Sequence, residues 1–182
     1  MNRLFVVDLD RCFGCHACEI ACKQEKGLPA GPRPMQVMDL GPRRVNGKVY
    51  RDFVPTFCCQ CVEAYCVEIC EAGALGRTAE GIVTLDREKC IQCELCVTAC
   101  PYGFMDLDPV LSLPAKCDFC SSRLSKNLEA SCVSHCPADA LQIRHEEELK
   151  EFLSGNHGQR VGQVLYVSKS WKLSSPIIKR EE

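Results

Sequence analysis

The sequence predicts an α+β protein of two small units, one inserted in the other, followed by a C-terminal helix and strand. Each unit is built from a doubled strand, loop, short helix, turn and strand (a βαβ pseudo-repeat). Three observations carry this expectation. Sixteen of the 17 cysteines fall into four groups of four, each opening Cys-x-x-Cys. The segment Asp10-Arg11-Cys12-Phe13-Gly14-Cys15-His16-Ala17-Cys18-Glu19-Ile20-Ala21-Cys22 aligns with Glu88-Lys89-Cys90-Ile91-Gln92-Cys93-Glu94-Leu95-Cys96-Val97-Thr98-Ala99-Cys100. Three groups also leave through similar exits: Glu71-Ala72-Gly73-Ala74-Leu75, Pro101-Tyr102-Gly103-Phe104-Met105 and Pro137-Ala138-Asp139-Ala140-Leu141. Self-similarity of this kind marks a supersecondary unit that buries its apolar face against a copy of itself.

Taken in order, Leu4 to Val7 reads as a strand, and so does its counterpart Ile82 to Leu85. Between Cys22 and the second group lies a stretch, 27–50, rich in proline, glycine and arginine, with Asn46-Gly47 marking a turn. A loop this long in a compact protein tends to be functional, and it is expected to be a docking surface. Nineteen residues lie between Cys70 and Cys90, room for one hairpin with turn signals at Gly73, Gly76 and Gly81. Pro101 and Pro137 stop the helices that precede them. Beyond Ile143, residues 145–153 read as a short amphipathic helix, with Glu146, Glu147 and Glu148 suited to its N-terminal dipole. Val161 to Val167 reads as one strand, and the tail 171–182, with Trp171 and Ile177-Ile178, as a partner-binding arm. The expected boundaries are 1–50 with 110–145 for the outer unit, 51–109 for the inner unit and 146–182 for the extension.

The first and third groups read C-x₂-C-x₂-C-x₃-C, the bacterial ferredoxin run, in which three thiolates hold one 4Fe–4S cluster and the fourth reaches another. The x₃ spacing carries that fourth thiolate one helical turn away, so two such units exchange their last ligands. Two bacterial-ferredoxin-like units then give four sites. Cys12, Cys15 and Cys18 take Cys136; Cys117, Cys120 and Cys132 take Cys22; Cys58, Cys61 and Cys66 take Cys100; Cys90, Cys93 and Cys96 take Cys70. The apolar residues between ligands, Phe13, Ala17, Ile20, Ile91, Leu95 and Val97, are expected to exclude water from the cores.

Blander readings stand beside these. Zinc can use two Cys-x-x-Cys pairs but leaves the third and fourth cysteines of each run unexplained, although a single zinc or 3Fe–4S site stays open. Disulfides inside such crowded loops would be strained. Cys59 is a surplus thiol able in principle to replace Cys58, and Glu71 follows Cys70 where Pro101 and Pro137 follow Cys100 and Cys136. His16 and His135 flank ligands, and a capping or solvated role is favoured for both; His145 and His157 read as surface residues. Lys89 and Lys116 precede ligand runs, either offsetting cluster charge or lying on solvated faces.

Composition narrows the class further. Seventeen cysteines in 182 residues would suggest disulfides in a secreted chain. The N-terminus, interrupted by Asp8 and Asp10, reads instead as lacking a signal peptide. A cytoplasmic, oxygen-poor compartment is therefore expected, with no direct membrane insertion. Net charge is −2, and four clusters with their thiolates bring it to about −10. That argues against nucleic acid and for a partner with a basic patch. No dinucleotide fingerprint, phosphate-binding loop or catalytic triad is present, so the chain is not expected to be catalytic alone.

Together these motifs resemble the four-cluster iron–sulfur electron-transfer subunits of molybdenum and tungsten oxidoreductases, such as dimethyl sulfoxide reductase and formate dehydrogenase, over roughly residues 4–143. The most specific part is Lys116-Cys117-Asp118-Phe119-Cys120, eleven residues, then Cys132-Val133-Ser134-His135-Cys136-Pro137. The resemblance implies four 4Fe–4S clusters relaying single electrons between a large molybdenum- or tungsten-pterin subunit and a second redox subunit or ferredoxin. It allows, more narrowly, the small subunit of a tungsten aldehyde-oxidoreductase-like or benzoyl-CoA reductase complex. The alternatives are a free polyferredoxin and the electron-transfer subunit of a hydrogenase complex.

Overall fold

A computed structural model describes residues 3–45, 47–149 and 153–169. The chain is a mixed α/β protein with few and mostly short helices. In order it forms β1 (Arg3–Asp8), α1 (Ala17–Lys26), β2 (Met35–Asp39), β3 (Arg43–Val45), β4 (Lys48–Tyr50), β5 (Phe53–Phe57) and α2 (Tyr65–Glu68). Then come β6 (Leu75–Arg77), β7 (Val83–Leu85), α3 (Leu95–Thr98), β8 (Asp106–Asp108), β9 (Leu113–Ala115), α4 (Ser121–Leu124) and α5 (Ser131–Ser134). It closes with β10 (Leu141–His145), a 3₁₀ turn (Glu146–Glu148), β11 (His157–Val161) and β12 (Val164–Ser168).

One sheet has four strands in the order β10-β1-β12-β11. β1 is antiparallel to β10 and parallel to β12, so it is flanked on both edges. It is also covered on both faces. Phe5 and Val7 enter the main apolar cluster, while Leu4 and Val6 pack with Leu149, Leu165 and Val167. That two-sided burial explains why β1 is a continuous apolar run and not an alternating one. The rings of Phe5, Phe57 and Phe119 meet at the centre of the main cluster, with centroids 4.6 to 6.2 Å apart. The middle of the chain carries two-stranded ribbons instead, β6–β7 and β8–β9, around a small cluster of Ala64, Leu75, Val83, Cys96 and Met105.

Several expectations need correction. Residues 27–50 are not a plain loop: β2 pairs with β5, and β3 with β4. The 161–167 strand is two strands, because the chain reverses at Gly162, whose φ is +58°. A Cβ there would collide with the Cys59 carbonyl oxygen, so both the turn and the close approach require glycine. The helix expected over 145–153 is represented by the 3₁₀ turn and Leu149, and residues 150–152 lie outside the described residues. The tail 171–182 lies outside them as well. The C-terminal segment is no appendage, since β12 completes the sheet beside β1.

Candidate iron–sulfur sites

Each cysteine loop curls through left-handed backbone. Gly14 and His16 have φ of +72° and +60°, and their counterparts Gln92 and Glu94 have +59° and +60°, so the repeat is conformational as well as sequential. A Cβ on Gly14 would collide with the Phe53 ring. The exits repeat for a reason too. The amides of Leu75, Phe104 and Ala140 donate to the sulfurs of Cys70, Cys100 and Cys136 at 3.3 to 3.4 Å. Phe119 N–H donates likewise to Cys117 Sγ at 3.4 Å. N–H donors stabilise a charged sulfur and help set its potential.

Four cysteine quartets converge. Cys12, Cys15, Cys18 and Cys136 line one cavity with Val37, Pro55 and Leu141. Cys58, Cys61, Cys66 and Cys100 line a second with Ala64, Val83, Phe104 and Met105. Cys70, Cys90, Cys93 and Cys96 line a third with Leu75 and Leu85. Cys22, Cys117, Cys120 and Cys132 are all buried in the main apolar cluster. They meet because α1 packs on α5, where Ser131 Oγ donates to Ala21 O at 3.2 Å. The quartets follow one another through the molecule. Cys18 and Cys22 share α1, and Cys132 is within electrostatic reach of Cys120, Cys22 and, in the neighbouring quartet, Cys18. Cys96 similarly feels Cys66.

Burial pushes the thiols up: Cys18 to about 12, and Cys22, Cys61 and Cys96 to about 11. Cys117 and Cys132 rise well above the usual thiol value for the same reason. A cationic core joining these sulfurs would ionise them, which would couple proton release to cluster binding. The nearby cation Lys26 pairs with Asp118 at 2.6 Å and lowers Cys22 partway.

The inter-ligand apolar residues are a correction. Phe13, Ile20, Ile91 and Leu95 are exposed, at 58%, 60%, 67% and 44%; with neighbouring cysteines turned inward, the side chains between them turn out. Water is kept away instead by the aromatic trio and the cavity linings. Glu71 is exposed. His16 pairs with Glu19, and His135 Nδ1 sits 2.8 Å from Ser131 O, consistent with local roles. Cys59 is buried, with its sulfur 3.6 Å from Phe57 O. It lines the same cavity as Cys58, whereas Cys61 and Cys66 both feel Cys58. Two residues escaped the sequence reading. Gln60 is fully buried and bonds Val83 and Cys117. The Tyr166 hydroxyl is buried with no hydrogen-bond partner among the described residues. Neither carries a signal in a single sequence.

Residues 49–146 match the 4Fe-4S dicluster domain family, and residues 9–27 match a 4Fe-4S binding domain. The chain belongs to the 4Fe-4S dicluster family. It is 39% identical over 143 residues to the thiosulfate reductase electron transfer subunit of Salmonella typhi, covering 78% of this chain and 74% of the relative. It is 38% identical over 136 residues to a polysulfide reductase subunit of Wolinella succinogenes, covering 74% and 71%. A probable anaerobic dimethyl sulfoxide reductase subunit of Escherichia coli K12 is 33% identical over 162 residues, covering 81% and 75%. Thiolate quartets around apolar cavities suit the donor chemistry of 4Fe–4S cores, and the 17 cysteines fit four such clusters. Among the described residues no helix is long and apolar enough to cross a membrane.

Proposed function

We propose that the chain is the electron-transfer subunit of a molybdopterin reductase, with the sixteen cysteines outside position 59 ligating four clusters in the four quartets above. When bound, 4Fe–4S clusters supply outer-sphere one-electron transfer. The residues of this chain fix where those centres sit, exclude water from them and direct N–H groups at their sulfurs. The quartets belong pairwise to two ferredoxin-like units, the inner inserted in the outer.

The observation that carries this reading is the order of the quartets and their exposure. The first and last each present one exposed cysteine, Cys15 and Cys93, while every cysteine of the Cys117 quartet is buried. The Cys58 quartet is half-buried throughout, so the exposed cysteines of the row lie only at its ends, which suits a wire between two partners. Beside Cys15 lie exposed Phe13 and Ile20, and the 27–50 stretch adds Leu40, Val49 and Tyr50; we assign this face to the catalytic subunit. Thiolate ligands of this number, with no disulfide among the described residues, favour a reducing, cytoplasmic location. The similarity to thiosulfate, polysulfide and dimethyl sulfoxide reductase subunits supports a molybdenum partner.

Anaerobic capture of the tagged chain with metal analysis tests the proposal. The expected result is about sixteen irons per polypeptide and a co-purifying large subunit containing molybdenum; tungsten in its place would redirect the reading to the tungsten enzymes. A chain recovered alone, or with far less iron, overturns it.

A further inference from the structure

Lys116 and Lys89 hold equivalent positions, each directly before a ligand run, yet their surroundings differ. Lys89 is 63% exposed and pairs with Asp86 at 3.0 Å. Lys116 is 6% exposed. Its ammonium donates to the carbonyls of Val83 and Cys117, and among the described residues no carboxylate lies within ion-pairing distance of it. Val83 lines the Cys58 cavity, and Cys117 belongs to the buried quartet, so the ammonium sits at the join between these two sites. Gln60 braces the same join: Val83 N–H donates to its Oε1, and its Nε2 donates to Cys117 O, both at 2.8 Å.

A buried cation calls for compensating negative charge nearby. Two adjoining thiolate-ligated sites supply the missing negative charge. We propose that Lys116 is a positioning residue for electron transfer: its charge raises the reduction potential of the adjoining Cys58 and Cys117 sites and eases passage across the join. The proposal rests on the four-site reading above. Burial makes the effect strong and insensitive to salt, whereas the exposed charge of Lys89 is screened.

The test is an EPR-monitored redox titration of the full chain, reconstituted anaerobically, with iron counted in each sample. Lys116→Gln keeps an amide donor and removes the charge. It is expected to lower the midpoint of the Cys58 or Cys117 site by at least tenfold in the reduction equilibrium, about 59 mV for one electron, with the shift persisting in molar salt. Lys116→Arg is expected to keep the wild-type midpoint, and Lys89→Gln to leave all midpoints in place. A Lys116→Gln chain that retains its iron with unmoved midpoints overturns the proposal, as does an equal shift in Lys89→Gln. If the glutamine variant loses iron, the arginine variant decides. Iron and potential retained there support a role for charge, and iron lost there too shows a packing role and overturns it. A wild-type chain well short of sixteen irons overturns the four-site reading instead, a separate outcome.

Discussion

Around Cys12 and Cys117 the chain has a four-stranded sheet, a ten-residue helix and the rings of Phe5, Phe57 and Phe119. Around Cys58 and Cys90 it has two ribbons of three-residue strands and helices of a single turn. Both regions carry eight candidate ligands. One-turn helices and isolated two-stranded ribbons have little stability of their own; both apolar clusters include candidate ligands, so the difference lies in the strands, the helix and the rings around them. One ligand pattern is thus held in two ways. The outer region has a core that would persist around its cysteines, whereas the inner region takes much of its order from what its cysteines bind.

The sharpest way to break this contrast is to strip the iron. After chelation, hydrogen exchange measured by mass spectrometry is expected to lose protection across residues 58–108 while β1, β10 and β12 keep theirs. Uniform loss would show that the two regions are equally dependent. Next in size is the crossed ligation. Cys136→Ser and Cys22→Ser are each expected to lower the iron content from about sixteen to about twelve, with different EPR signals lost. Loss of the same signal in both would undo the assignment. Phe5→Ala removes the ring at the centre of the outer core and is expected to cost about 3–5 kcal/mol, read as faster exchange in the four-stranded sheet. Gly162→Ala places a Cβ on the Cys59 carbonyl at a left-handed φ, a cost of about 1–3 kcal/mol visible as a lower melting temperature. The smallest effect is expected at the exposed pair of Arg51 and Asp39. Arg51→Ala should leave melting unchanged and weaken capture of the catalytic subunit if the 27–50 face docks there.

The sites were more legible in the sequence than the scaffold. Cysteine spacing follows from the reach of thiolates around a core, so four candidate quartets could be written down from the residues alone. The hairpin between Cys70 and Cys90 was also visible, because Gly73 and Gly81 sit at local turns with positive φ, although Gly76, expected to be a third turn, lies inside β6 and pairs with Thr84. Pairing between distant strands was not. Nothing in Met35-Gln36-Val37-Met38-Asp39 points to Phe53-Val54-Pro55-Thr56-Phe57 as its neighbour, yet β2 and β5 pair along their whole length. The parallel partner of β1 lies about 160 residues away, beyond any local periodicity. Lys116 was half legible for a related reason: the sequence left it open between offsetting cluster charge and a solvated face, and its burial depends on Val83, 33 residues away, whose carbonyl it reaches.

The parallel pairing of Val164–Val167 with Phe5–Asp8 bears on how the molecule is made. On the ribosome, the first strand emerges early and waits, one edge bare, until the last has been translated. Cys136, wanted by the earliest cysteine loop, also comes late. If Cys136 completes that site, iron enters it only after residue 136 has been translated, and whatever guards the nascent thiols has to hold them until then.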